Sequence, residues 1–103
     1  MKGDAENMKH HRTIWVNVTA DMIVSTKPVR IFSILLTPAA GNADITLYDG
    51  ESITDPEISC VRTLQHLSFL FNLEPGLVTR RGLFVDIGAT VDNVLIQYEQ
   101  LDS

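Results

Sequence analysis

Apolar and polar residues alternate with a period of two along most of this chain, and that pattern constrains its fold more than any other feature. Thr13–Thr19 places Ile14, Val16 and Val18 on one face and Trp15 and Asn17 on the other. Ala43–Tyr48 sets Ile45 and Leu47 against Thr46 and Tyr48, then stops at Asp49-Gly50, a strong turn dipeptide. Near the end, Val94, Ile96 and Tyr98 oppose Leu95, Gln97 and Glu99. Period two is the signature of strands with one face buried. Composition agrees: Val, Ile and Thr number nine each while Ala numbers six, and β-branched side chains suit a pleated surface better than a helix.

Further strands are expected at Met22–Ser25, Val29–Thr37 and Gly82–Ile87. Strict alternation over Val29–Thr37 puts Val29, Ile31, Ser33 and Leu35 on one face and Arg30, Phe32, Ile34 and Leu36 on the other. A strand apolar on both faces reads as a central one covered on both sides. Gly82–Ile87 and Asn93–Glu99 are expected to pair across the loop Gly88–Asp92. Asp55–Leu73 admits two readings. Asp55-Pro56-Glu57 opens like a capped helix, with Ile58, Val61, Leu64, Leu67 and Phe71 at helical spacing. The alternative is two strands, Ile58–Leu64 and Ser68–Leu73, and the strand-rich context favours it. About eight short strands joined by turns in 103 residues amount to one all-β domain, an antiparallel β-sandwich over residues 13–103. Residues 1–12 are polar and read as a flexible N-terminal arm.

The net charge of −5 is unlike that of a surface built to neutralise nucleic-acid phosphates. No apolar run approaches a membrane span, and MKGDAENMKHHR lacks the apolar centre of a signal peptide, so a soluble, reducing compartment is expected. One cysteine allows no internal disulfide. Cys60 lies in an apolar-rich strand and is expected to be buried and inert.

No nucleotide-binding glycine motif, no GxSxG and no HExxH occurs. No catalytic residue, cofactor or metal site is therefore expected. The pair His10-His11 lacks a third ligand, and His66 sits by a turn as a surface or boundary residue. Asp49, Glu51, Asp55 and Glu57 cluster at a turn without calcium-loop spacing and read as a solvated acidic loop. Arg80-Arg81 is the one basic doublet; with Arg30 and Arg62 it is either a dock for an acidic partner surface or an exposed loop. Trp15, Tyr48 and Tyr98 are single aromatics at strand positions, suited to core, to an interface or to stacking on a sugar ring.

The run VRIFSILLTPAAGNADITLYDGES, followed by RRGLFVDIGATVDNVLIQYEQ, resembles a group of small virion proteins of tailed phages. The shared elements are the apolar strand Val29–Leu36, the small-residue loop Ala39–Ala43, Ile45–Gly50 with its Tyr-Asp-Gly turn, Gly82–Val85 and Val94–Tyr98. The resemblance covers roughly residues 29–99 and departs at Asp55–Leu73, which is longer and more hydrophobic than the pattern. It implies a jelly-roll-like sandwich acting as a capsid decoration, or cement, protein. Such a protein would be made in the host cytoplasm and placed on the capsid surface of the virion, bound to the major capsid protein or another virion protein. No catalytic residue transfers. A homo-oligomer, with a trimer favoured, is expected, and its candidate interface residues are Trp15, Arg80, Arg81, Phe84 and Tyr98. The rivals are a carbohydrate-binding or fibre-associated sandwich module and a cupin-like lyase or isomerase, the latter short of histidines.

Overall fold

A computed structural model describes residues 13–63 and 67–101. Eight strands follow in order: β1 (Thr13–Val18), β2 (Met22–Ser25), β3 (Val29–Pro38), β4 (Asp44–Tyr48), β5 (Glu57–Arg62), β6 (Phe69–Val78), β7 (Leu83–Ile87) and β8 (Val91–Gln100). They form two four-stranded antiparallel sheets, β1-β8-β3-β6 and β2-β7-β4-β5. The pairs β1/β8, β2/β7, β3/β6 and β4/β5 are the rungs of one long ribbon folded at the β4–β5 turn and rolled up. That is jelly-roll topology, and it bears out the all-β sandwich expected from the alternation.

The core lies between the sheets. Val18, Val29, Ile31, Ile34, Leu36, Val94 and Ile96 come from the first sheet and Ile45, Leu47, Leu83 and Val85 from the second, all fully buried. The residues that alternation groups on one face of β1, β4 and β8 do share a face, and the faces of Val18, Ile45/Leu47 and Val94/Ile96/Tyr98 are the buried ones, with Ile14 and Val16 half-buried at the edge. Asp55–Leu73 contributes strands at both ends and no helix among its described residues; Leu64 and His66 lie outside them.

Two expectations are corrected. The first concerns β3, where Ile31 faces Tyr98 and Ser33 faces Gln97, leaving Phe32 as an extra residue. One inserted residue reverses the phase of a period-two pattern. Val29 and Ile31 point inward before the bulge, and Ile34 and Leu36 after it. β3 therefore has one core face, and its apparent two-sidedness is two phases read as one. Opposite Phe32 the edge strand β6 is also irregular. Leu77 pairs with Ile31 and Asn72 with Ser33, so residues 73–76, including Pro75, loop out of register. An edge bulge is where a strand tolerates proline. Gly76 sits there at φ 126°, and the Arg30 side chain lies where its Cβ would be.

The second correction concerns β7 and β8, which do not pair. β7 lies between β2 and β4, and β8 between β1 and β3. The connection between them crosses from sheet to sheet. It is held by the Gly88 amide donating to the Asp44 carbonyl and the Ala39 amide donating to the Thr90 carbonyl, with Thr90 at φ 64°. Two buried threonines extend the sheets past their strand ends. Thr79 Oγ1 accepts from the Val29 amide at 3.0 Å, and Thr63 Oγ1 accepts from the Ala43 amide at 3.3 Å.

Candidate functional site

At one end of the sandwich the β4–β5 and β6–β7 loops meet through Asp49. Its carboxylate accepts the Arg81 amide at 2.8 Å, the Arg80 amide at 3.1 Å to each oxygen and the Gly82 amide at 3.4 Å. Burial works to raise its pKa. The amides of Arg81, Arg80 and Gly82 and the Arg81 charge outweigh that and hold it below the ordinary carboxylate value. Asp55 closes its own loop by accepting the amides of Glu51 and Ser52, and its other oxygen faces the Arg81 guanidinium at 3.5 Å. Two of the four turn carboxylates thus serve as acceptors for backbone amides. The arginine doublet is an exposed loop, whose backbone is clamped by Asp49 and whose Arg81 is paired in cis. Among the described residues no group of three His, Cys, Asp or Glu side chains could hold a metal ion. The histidines lie outside the described residues.

The outer face of the second sheet carries Ile23, Phe84 and Tyr48 in one cross-strand row. The Tyr48 and Phe84 rings are 6.2 Å apart and tilted. Toward the other end of that face lie Asp21, Asp86 and Asp44. The Ile87 amide donates to Asp21 at 2.7 Å. Burial, the Asp21 charge, the hydrogen bond shared with Asp21 and the Asp44 charge all push Asp86 above its ordinary value. Cys60 is on this face too, which corrects the expectation of a buried thiol. Val61 pairs with Ile45 and points inward, so its neighbour Cys60, opposite Thr46, must point outward.

On the outer face of the first sheet, Trp15 lies opposite Gln97, which accepts a hydrogen bond from Ser33 at 3.1 Å. Next to it Asn93 donates to Asn17 at 2.8 Å. Arg30 and Glu99, cross-strand partners, form an ion pair at 3.7 Å. Tyr98 belongs to the core, where burial raises its phenol pKa. The five candidate interface residues are therefore not gathered in one place: Trp15 is on one outer face, Phe84 on the other, Arg80 and Arg81 in an end loop and Tyr98 inside.

Sequence reasoning missed the most apolar exposed stretch. Along the side where β5 and β6 form the sheet edges, Leu67, Phe69 and Leu70 are 65%, 55% and 56% exposed. The Phe69 ring packs against that of the half-buried Phe71, with centroids 4.7 Å apart and planes tilted by 42°. Between the two edges runs an apolar groove of about 260 Å³ lined by Arg62, Thr63, Leu67, Phe69 and Phe71. The signal in the sequence was the uncharged run Leu67–Leu73, whose apolar residues exceed what one core face can absorb.

No family model matches the chain, and no curated protein matches it. Among solved structures, the chain is similar to one described as "Bacillus endospore appendages form a novel family of disulfide-linked pili". It aligns over 89% of this chain and 88% of that chain at 14% identity, with a TM-score of 0.48.

Proposed function

We propose that this protein is a non-enzymatic structural component that works by binding protein surfaces in an assembly. The specific reading is a capsid decoration protein on the outer head surface of a tailed phage. The observation that carries the proposal is the exposed apolar side made by Leu67, Phe69 and Leu70 beside the open edges of β5 and β6. Exposed apolar surface at a sheet edge is costly for a solitary molecule and useful for one that is covered in its working state. The jelly roll is an architecture shared by viral capsid and lectin domains. The motif pattern over residues 29–99 supports the phage assignment. Mechanistically, many copies each burying a modest interface would stabilise a shell by mass action, because they bind assembled subunits and not free ones. The test is electron cryo-microscopy of intact particles with an antibody fragment against this chain. Regular density on the outer head surface is the expected result; label on the tail or fibre, or none, refutes the capsid assignment.

One observation favours a second reading, a carbohydrate-binding module. Trp15 is 52% exposed on the outer face of the first sheet and is bordered by the side-chain amides of Gln97, Asn17 and Asn93. An aromatic plane beside amide donors and acceptors can stack on a sugar ring and bond its hydroxyls. Binding to a glycan array that Trp15→Ala abolishes would establish it, and an array without hits would end it.

A further inference from the structure

The β5–β6 side has a chemistry that selects its partner. Leu67–Leu73 reads Leu-Ser-Phe-Leu-Phe-Asn-Leu, with no charge in a chain whose net charge is −5. Two copies approaching along this segment meet no like charge, so the net negative charge of the chain opposes this approach least. The other edge strands differ. β5 carries Glu57 and Arg62 outward, β2 begins beside Asp21, and the exposed residues of β1 alongside Trp15 are the polar Thr13 and Asn17. β6 is the end strand of its sheet, with β3 on one side. Leu70 pairs with Leu35 and lies on the outer face, while Phe69 and Phe71 pair with Leu36 and Ile34 and lie on the core side. A second copy of the strand would thus find apolar side chains on both faces of the ladder.

We infer that two copies of this chain pair through β6, antiparallel about a two-fold axis, joining their first sheets into one continuous sheet. The two-fold sets the same segment against itself, so Phe69 and Leu70 of each copy pack on those of the other. Each partner's aromatic side chains cover the apolar groove between β5 and β6. An isologous contact of this kind uses up the edge and closes at two copies, in place of the trimer expected from the sequence. The inference rests on the reading of the protein as one that acts by association, and it names the surface and the partner.

The experiment is sedimentation velocity on the full chain from roughly 1 to 200 μM, a range that brackets a modest interface. It is run on wild type, Leu70→Lys, Leu67→Lys and the control Ile53→Lys, which alters an equally exposed residue in the β4–β5 loop. Wild type and the control are expected to rise from one chain mass of 11.5 kDa toward twice that value. Both β6-side variants should weaken the rise at least ~10-fold, since a charge on an edge opposes pairing. Circular dichroism melts at the lowest concentration identify any variant that fails to fold. Leu67 precedes the strand, so its variant keeps the test open if Leu70→Lys unfolds. Hydrogen exchange should slow with concentration at the Phe69–Leu73 amides. A monomer throughout, a trimer, an open series of larger species, or dimers that both lysines leave intact would each overturn the pairing. A monomer that still binds phage heads overturns the pairing and spares the decoration reading. A dimer that binds no head does the reverse.

Discussion

Replacing Asp49 by Asn isolates the charge that ties the β4–β5 loop to the β6–β7 loop. The carboxylate accepts from three consecutive amides, but only the Arg81 contact at 2.8 Å and the Arg80 contacts at 3.1 Å have good lengths, and the Gly82 contact at 3.4 Å is weak. Hydrogen bonds to a charged group contribute about 1.5–3 kcal/mol each, and these are partly solvated, so two of them at the lower end contribute about 3 kcal/mol. Asn keeps one acceptor oxygen and turns an NH2 toward the amides, which leaves a loss of about 2 kcal/mol. For a domain of this size that lowers Tm by about 9 °C. The dependence on pH follows from the direction of the shift. Asp49 is held below its ordinary value of 3.8, so its contribution is complete above that pH and is lost as the pH falls through the lower folded value. Thermal melts of wild type and Asp49→Asn should therefore differ by the full amount at about pH 7 and converge as the pH falls through that lower folded value. Equal Tm values at neutral pH, or a difference undiminished in acid, would refute the account of Asp49 as a charged clamp.

Asp86 has the opposite sign. Its pKa is raised, so its ionisation opposes folding at neutral pH, and the penalty fades as the pH falls through the raised folded value toward the unfolded one. Asp86→Asn should stabilise by ~0.5 kcal/mol at neutral pH, the scale of a surface charge pair, and by nothing in acid, read as paired melts. Gly50→Ala places a methyl at φ 156°, against the Asp55 carboxylate that closes the loop, and should cost about 1–3 kcal/mol by urea denaturation. Ile96→Ala removes a fully buried side chain from the centre of the core and should cost about 2–5 kcal/mol with m unchanged. Cys60, exposed on the second sheet, should react completely with a thiol reagent in the native protein; slow reaction limited by unfolding would contradict its placement.

The all-β class, the face-sharing sets Ile45/Leu47 and Val94/Ile96/Tyr98, and the break at Asp49-Gly50 were all legible in the chain, though not that Tyr98 belongs to the core. Each depends on an interaction between a residue and its close neighbours: the two-residue repeat of a strand, or the dihedral preferences of a turn. Tertiary structure decided whatever depends on a partner far along the chain. The bulge at Phe32 exists because β8 and β6 pair with β3 on both sides in a register that leaves one residue over, and no local pattern announces a residue left over. β7 and β8 look like a hairpin, because adjacency in sequence and a short loop are all that a local reading can weigh. Their real neighbours are β2 and β4 for one and β1 and β3 for the other. Cys60 reads as buried among apolar residues until the pairing of Val61 with Ile45 sets which parity faces the core. The Asp49 clamp joins residues about thirty apart, so a carboxylate that looked solvated became a structural acceptor. Periodicity is a local property of the chain. Register and sheet assignment are set by the free energy of packing the whole rolled ribbon.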